Sequence, residues 1–183
     1  ETIRSLSAEL TFMGENVTFV SERQLAEGKA AKVQWLILPQ ATHVLASTPA
    51  ALARFAKHGR QLLLVGTNCL SRDEYDRPLS RPNCPVKVVP DGSLGSIEAL
   101  QQALASSPFP ELRDVSTGKP AWGIEFRVLK QGRTLLVPLD NFNGEARTVC
   151  LPHWAKDSAV DLLSGQAVEL KAIALQPMVP RLL

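Results

Sequence analysis

Cys69 is the residue whose type and position come nearest to those of a catalytic group. It lies in the stretch LLLVGTNCLSRDEYDRP, where an apolar run ends at Gly66 and a polar loop begins. Nucleophiles of α/β proteins are commonly mounted on the loop after a strand. A nucleophilic cysteine also needs a histidine to accept its proton and an acid to orient that histidine.

The neighbours of Cys69 do not favour such a triad. Leu70 occupies the place where a small residue would let a tight turn present the sulfur to backbone N–H donors. His43 and His58 precede the cysteine and neither has an acid two residues away, while His153 lies in the second half of the chain. We therefore predict no catalytic residue in this chain, and we interpret Cys69 as a loop residue.

The loop around Cys69 is nevertheless a candidate binding site. Ligands of open parallel sheets bind outside the carboxyl ends of the strands, where this loop and His43 are expected to lie. The candidate ligand-binding residues are five from the strand-end loops and one tryptophan that could stack on a sugar: His43, Cys69, Asp73, Glu74, Tyr75 and Trp122. The alternatives are that His43 is an ordinary loop residue and that Trp122 and Trp154 are packing residues.

Other kinds of site have little support in the sequence. Gly92–Gly95 has a glycine-rich pattern but lacks the lysine and the spacing of a phosphate-binding loop. The three cysteines contain no CxxC pair, so no zinc or other metal site is predicted, and no cofactor is expected. A disulfide between Cys69 and Cys84 remains open.

Composition restricts the partners. The 183 residues carry a net charge of only +2, which argues against a nucleic-acid footprint and against a membrane-binding patch. No apolar run approaches the ~20 residues of a transmembrane helix. The first ten residues, ETIRSLSAEL, lack the apolar core of a signal peptide, so the sequence leaves a cytoplasmic or a secreted location open.

The first half of the chain alternates helical patterns with short apolar runs, which predicts a parallel sheet with helices on its faces. A long loop from Gly66 to Pro90 indicates a functional or packing segment. The predicted elements are a helix over 3–13 that ends at Gly14, a β-rich run at Val17–Val20, a buried strand at Val33–Leu38, a helix capped by Thr48 with Pro49 in its first turn and Gly59 as its stop, a strand at Gln61–Val65, and a last helix capped by Ser96.

The second half predicts a small antiparallel β domain. Residues 106–120 are typical of a linker, and the runs after them are β-rich. Three turn signals separate these runs: Gln131-Gly132, Asn143-Gly144 and Ser164-Gly165. We therefore expect one domain over residues 1–115 and a second over residues 116–183.

Two long stretches resemble glycoside hydrolase family 42 β-galactosidases. The run WLILPQATHVLASTPAALARFAKHGRQLLLVGTNCLSRDEYDRP is similar to their middle domain, in its proline-ended strand, its glycine-ended helix and its DEYDRP loop. The run FRVLKQGRTLLVPLDNFNGEARTVCLP, then DLLSG and IALQPMVPRLL, is similar to the small β domain that ends those enzymes. Related multi-domain glycosidases share these parts.

The resemblance implies a fold and a set of partners. The fold would be a flavodoxin- or amidotransferase-like α/β domain, with a parallel sheet and helices on both faces, followed by a small antiparallel β-sandwich. The partners would be a catalytic barrel in the same protein, further copies in a homo-oligomer, and the carbohydrate substrate of the whole enzyme.

The resemblance also implies what this chain lacks. A retaining glycosidase needs two carboxylates about 5 Å apart, and in the family they stand at the strand ends of the barrel. Glu125 and Asp140 are the best acidic candidates within strands here, and we expect both to be solvent-facing residues of alternating strands.

Three functions are thus weighed: a non-catalytic accessory and assembly region of a glycoside hydrolase, a module that binds a carbohydrate or other small ligand, and a small enzyme using Cys69. The first is preferred.

Overall fold

The computed structural model describes residues 2–57, 59–90, 97–104, 111–154 and 156–183. The predictions for His58, Gly92–Gly95 and Ser96 lie outside the described residues. The fold is mixed α/β, with one parallel sheet, several small antiparallel sheets and short helices in the described parts. Contacts divide the chain into two units, one of Glu1–Ile3 with Thr18–Gly95 and one of Arg4–Val17 with Ser96–Leu183. The domain boundary expected at residue 115 stays a prediction.

A three-stranded parallel sheet forms the centre of the first unit. The strands β1 (Trp35–Pro39), β2 (Gln61–Val65) and β3 (Lys87–Val89) lie in that order, and both pairings are parallel. Leu62–Leu64 are all at most 2% exposed, as expected for a central strand covered on both faces. The strand predicted at Gln61–Val65 is confirmed with the same bounds, and the one predicted at Val33–Leu38 begins two residues later.

Two helices contribute to the core of this unit. In α3 (Thr48–Ala56), Ala51, Leu52 and Phe55 are buried on one face, and α2 (Glu22–Ala26) adds Leu25. Burial of a leucine or phenylalanine side chain stabilises the fold by about 1.5–3 kcal/mol. Helical spacing of apolar residues therefore predicted α3 correctly.

The β-rich run at Val17–Val20 was wrongly predicted to be a strand. These residues have no regular structure, and Phe19 is 72% exposed. An extended run becomes a strand only by pairing with another, and the chain turns into α2 immediately afterwards. That turn is fixed by a capping box in which Ser21 and Gln24 exchange side-chain and backbone hydrogen bonds.

Two details around α3 and β3 also differ from expectation. Thr48 does not cap α3, because its hydroxyl donates to Glu22 Oε1 at 2.6 Å and Ser47 takes the cap position without a side-chain bond. The long loop predicted to reach Pro90 ends earlier, because Lys87–Val89 finds a partner in β2 and becomes a strand.

The described residues of the second unit form two three-stranded antiparallel sheets and two hairpins. The strands are β4 (Arg113–Asp114), β5 (Ile124–Phe126), β6 (Leu129–Gln131), β7 (Thr134–Leu136), β8 (Pro138–Asn141), β9 (Arg147–Cys150), β10 (Ser158–Val160), β11 (Ala167–Glu169), β12 (Ile173–Leu175) and β13 (Arg181–Leu182). The sheets are ordered β12–β9–β4 and β13–β8–β5, and the hairpins are β6–β7 and β10–β11. Side chains of both sheets share one core, including Phe126, Leu139, Val149 and Ile173.

Two helices accompany these strands. Most of α1 (Thr2–Phe12) belongs to this unit, and its Phe12 ring meets the Trp122 ring edge-on, with centroids 5.2 Å apart. The helix ends before Gly14, whose φ of +80° is a left-handed conformation suited to glycine. α4 (Ile97–Ala103) buries Leu100.

Two of the three predicted turns are hairpins. Gln131-Gly132 joins β6 to β7 and Ser164-Gly165 joins β10 to β11, each pair being antiparallel. Asn143-Gly144 was wrongly expected to be a hairpin turn, since β8 and β9 lie in different sheets. The fully buried Asn141 directs this crossing, because its amide donates to the carbonyls of Glu145 and Leu175.

The DLLSG segment is organised by its aspartate. Asp161 is 3% exposed, and its carboxylate accepts hydrogen bonds from Leu163 N, Ser164 Oγ, Leu182 N and the Arg181 guanidinium. Burial works against the charge of Asp161, but these hydrogen bonds prevail and lower the pKa of its carboxyl. The aspartate therefore joins this hairpin to the last strand.

Glu125 and Asp140 face each other across β5 and β8. They are direct partners in the antiparallel register, and both take the more exposed positions of alternating strands, as expected, although each is half-buried. Oδ1 of Asp140 is buried and has no hydrogen-bond partner among the described residues, while Glu125 lies 3.5 Å from the Arg127 guanidinium. Like charges directly opposite each other destabilise a sheet.

We expect Asp140→Asn to raise the free energy of unfolding by about 0.5 kcal/mol, because it removes this repulsion. The measurement is urea denaturation at neutral pH. In a Glu125→Gln background the same substitution should give a smaller gain, because only the relief of burying the Asp140 charge remains. An equal gain in both backgrounds, or a loss in the wild type, would contradict the repulsion.

Candidate functional site

The carboxyl ends of β1 and β2 bring two loops together at one edge of the parallel sheet. Gln40 N donates to the Val65 carbonyl and Gly66 N to the Val89 carbonyl, each at 2.8 Å, so the three strands end side by side. The loop over residues 40–47 and the loop over residues 66–86 both start from this edge. We call them the first and the second strand-end loop.

Backbone hydrogen bonds join the two loops. Leu70 N donates to the Ala41 carbonyl at 2.8 Å, Arg72 N to the Thr42 carbonyl at 3.1 Å, and Val44 N to the Arg72 carbonyl at 3.1 Å. Leu70 is fully buried and has a φ of +60°, which an L-residue adopts at a cost of about 1–3 kcal/mol. Burial of the Leu70 side chain offsets that strain. Leu70, which the sequence indicated to be too large for the turn of a nucleophile, instead anchors the loop in the core.

Cys69 is buried beneath the loop. It is 2% exposed, and its sulfur lies 3.1 Å from the Val65 carbonyl oxygen and 3.5 Å from that of Leu38. Backbone acceptors are thus available for the thiol proton, and the side chain packs within the apolar core of the unit. Neither Cys69 nor Cys84 takes part in a disulfide, so the bond considered between them is not formed.

Asp73 holds the DEYDRP segment in its turn. Its carboxylate accepts from Tyr75 N and Arg77 N, both at 2.9 Å, and from Arg77 Nε at 2.7 Å. Burial of Asp73 works against its charge, but the hydrogen bonds from the backbone and the guanidinium of Arg77 outweigh it and lower the pKa of the carboxyl. Asp73 therefore acts within the loop, where its oxygens are occupied.

The side chain of Glu74 contacts the first strand-end loop, whereas that of Tyr75 is exposed to solvent. Glu74 Oε2 accepts from Ala46 N at 2.6 Å, a further link between the two loops. Tyr75 is 72% exposed, and the Arg77 guanidinium lies over its ring, 4.9 Å from the centroid. The tyrosine and the arginine form an exposed pair on the outside of the second loop.

His43 is paired with an acid that sequence reasoning did not choose. His43 Nε2 lies 3.1 Å from Asp76 Oδ1, and the Arg72 guanidinium donates to the Asp76 carbonyl at 3.0 Å. These three side chains border a cleft of about 470 Å³ that is also lined by Thr42, Asn68, Ser71 and Pro78. Asp76 belongs to the quoted DEYDRP stretch, but its partner lies 33 residues away, so no local spacing could have paired them.

The remaining candidates lie in the second unit. Trp122 is 51% exposed and its carbonyl accepts from Asn143 Nδ2, while Trp154 packs against the core. His153 also has an acidic partner distant in sequence, with Nε2 3.0 Å from Glu111 Oε2. Thus the structure brings His43 and the residues of the DEYDRP loop to one edge, and Trp122 to the other unit.

No group of three or more His, Cys, Asp or Glu side chains among the described residues is arranged to hold a metal ion. Within the same residues, no helix has the length and apolar character needed to cross a membrane.

No protein-family profile and no curated protein matches the chain by sequence. Solved structures do share its fold. A GH42 exo-carrageenase from Bacteroides ovatus aligns with a TM-score of 0.72 at 19% identity, covering 100% of this chain and 26% of that chain. Gan42B, a GH42 β-galactosidase from G. stearothermophilus, aligns with a TM-score of 0.68 at 12% identity, covering 99% and 35%.

A β-galactosidase from Bacillus circulans sp. alkalophilus aligns with a TM-score of 0.66 at 12% identity, covering 100% of this chain and 37% of that chain. The chain thus spans about a quarter to somewhat over a third of the length of these similar proteins. At such identities the likeness establishes a shared fold, and it is consistent with a fragment of a GH42-like protein.

The structure predicts a pH-dependent role for Asp73. A carboxyl whose folded pKa is lowered stabilises the fold above its unfolded value of 3.8, and this contribution is lost as the pH falls through the folded value. Asp73→Ala should therefore lower the free energy of unfolding by a constant amount between about pH 8 and pH 5, and by less below about pH 4.

Urea denaturation across this pH range measures the difference between Asp73→Ala and the wild type. Glu145→Ala is the control, because Glu145 is exposed and its side chain makes no hydrogen bond to a described residue. A deficit of Asp73→Ala that stays constant down to the acid limit would contradict the role of the ionised carboxylate.

Proposed function

We propose that this chain is a non-catalytic accessory and assembly region of a glycoside hydrolase. In this proposal, an amidotransferase-like α/β domain up to about residue 115 mediates oligomerisation, and a small β domain over residues 116–183 supports it. The catalytic barrel would belong to the same, longer protein. The observation that carries the proposal is the match of the whole chain to part of several GH42 structures.

The side chains best suited to chemistry support a non-catalytic role. The sulfur of Cys69 lies under the second strand-end loop against backbone carbonyls. The histidines His43 and His153 are engaged with Asp76 and Glu111, and neither pair includes a nucleophile. Glu125 and Asp140 oppose each other, but Glu125 is engaged with Arg127.

We expect the isolated chain to leave p-nitrophenyl β-galactoside unhydrolysed, whereas the longer protein hydrolyses a galactoside. Release of nitrophenolate measures both activities. Turnover by the isolated chain that disappears in the Glu125→Gln and Asp140→Asn variants would contradict the proposal and would assign the chemistry to this sheet.

The exposed Tyr75–Arg77 pair is the best-supported point of assembly. Tyrosine and arginine are enriched among the residues that dominate binding energy at interfaces, and a specific interface buries about 800 Å² per partner. The second strand-end loop carries this pair on a turn that Asp73 already holds. Little conformational entropy is therefore lost when the pair enters an interface.

We expect Tyr75→Ala to weaken self-association of the chain at least ~10-fold in sedimentation equilibrium. Phe19→Ala is the matched control, because Phe19 is also 72% exposed in the same unit but lies outside the strand-end loops. A chain that stays monomeric up to about 0.5 mM, or equal effects of the two substitutions, would contradict assembly through this loop.

A further inference from the structure

The cleft between the two strand-end loops contains polar groups that the fold does not use. Within the described residues, the side chains of Thr42, Asn68 and Ser71 make no hydrogen bond, although all three line the cleft. Two hydroxyls and an amide, each both donor and acceptor, thus face the same space. Its volume of about 470 Å³ lies in the range of small-molecule sites, ~300–1,000 Å³.

The cleft is bordered by charged side chains of both signs. Arg72 and Asp76 carry one charge of each sign, with Arg72 Nε 3.8 Å from Asp76 Oδ1. An anionic ligand would meet the Asp76 carboxylate, and a cationic ligand would meet the Arg72 guanidinium. A neutral ligand that both donates and accepts hydrogen bonds is repelled by neither of these two charged groups.

The cleft is also held in shape before any ligand arrives. The hydrogen bond from Arg72 N to the Thr42 carbonyl joins its two sides. Asp76 has a φ of +61°, and its N–H donates to the Asp73 carbonyl at 3.1 Å, so the loop fixes this strained residue beside His43. Preordered side chains lower the entropy lost on binding.

We propose that this cleft binds a neutral saccharide. Sugar hydroxyls both donate and accept, which matches the unused groups of Thr42, Asn68 and Ser71, while the Asp76 carboxylate accepts from a further hydroxyl. The proposal rests on the chemistry of the cleft and is independent of whether the chain belongs to a glycosidase. Weak binding is expected, with a Kd of about 1–10 mM, because His43, Arg72 and Asp76 are exposed to solvent.

The test is a titration of the ¹⁵N-labelled chain, followed by amide chemical shifts, with lactose, cellobiose and maltose as neutral probes and sodium sulfate as the anion. At least one sugar should cause saturable shifts at Thr42, Ser71 and Arg72. The Asn68→Ala/Ser71→Ala variant should bind that sugar about 10-fold more weakly, because it lacks two unused hydrogen-bonding groups.

The control variant is Thr67→Ala/Ser80→Ala, which changes two exposed residues of the same loop that do not line the cleft. It should retain wild-type affinity, and both variants should keep wild-type spectra elsewhere. Absence of saturable shifts with all three sugars, shifts confined to other surfaces, or saturation by sulfate alone would overturn the proposal. Equal loss of affinity in both variants would overturn it as well.

Discussion

The parallel pairing of β1 with β2 is the constraint on which the rest of the first unit depends. Parallel strands end at the same edge, so the residues after Pro39 and after Val65 must lie beside each other. The consecutive buried leucines of β2 fix this strand in the centre of the sheet, since a slip in its register would unpack both faces. Two loops distant in sequence become one surface as a result.

Carboxylates give this surface its shape. Glu22 accepts from Leu45 N and the Thr48 hydroxyl, Asp73 accepts from Tyr75 and Arg77, and Glu74 accepts from Ala46 N. Hydrogen bonds to an ionised acceptor are stronger than those between neutral groups. Each of these acids satisfies backbone or side-chain donors of the loops, so the acid-rich stretch has a structural role at this edge.

The sequence predicted elements whose evidence is local. Helical spacing located α3, a continuous apolar run located β2, and glycine turns located the two hairpins of the second unit. The errors arose where a distant partner decides the outcome. Thr48 was predicted to cap α3, because its hydrogen bond to Glu22 joins residues 26 positions apart and leaves no signal in the local sequence. Val17–Val20 was predicted to be a strand, because the local sequence does not show whether a second strand is available for pairing.

At the candidate site, too, the sequence predicted the features that depend on neighbouring residues and missed those that depend on distant ones. The position of the second loop at the strand ends followed from the sequence, but the pairing of His43 with Asp76 did not, because it depends on the register of the sheet. For the same reason, Glu125 and Asp140 could be named but not recognised as partners.

An accessory region and a self-sufficient protein differ most directly in the size of the native gene product. The mass of the protein that carries this sequence in its source cells, measured on material captured by an antibody against the chain, tests the central claim. The account predicts roughly three to four times the 19.9 kDa of this chain, because the chain spans 26–37% of the similar proteins. A native product of about 20 kDa with no catalytic domain attached would contradict it.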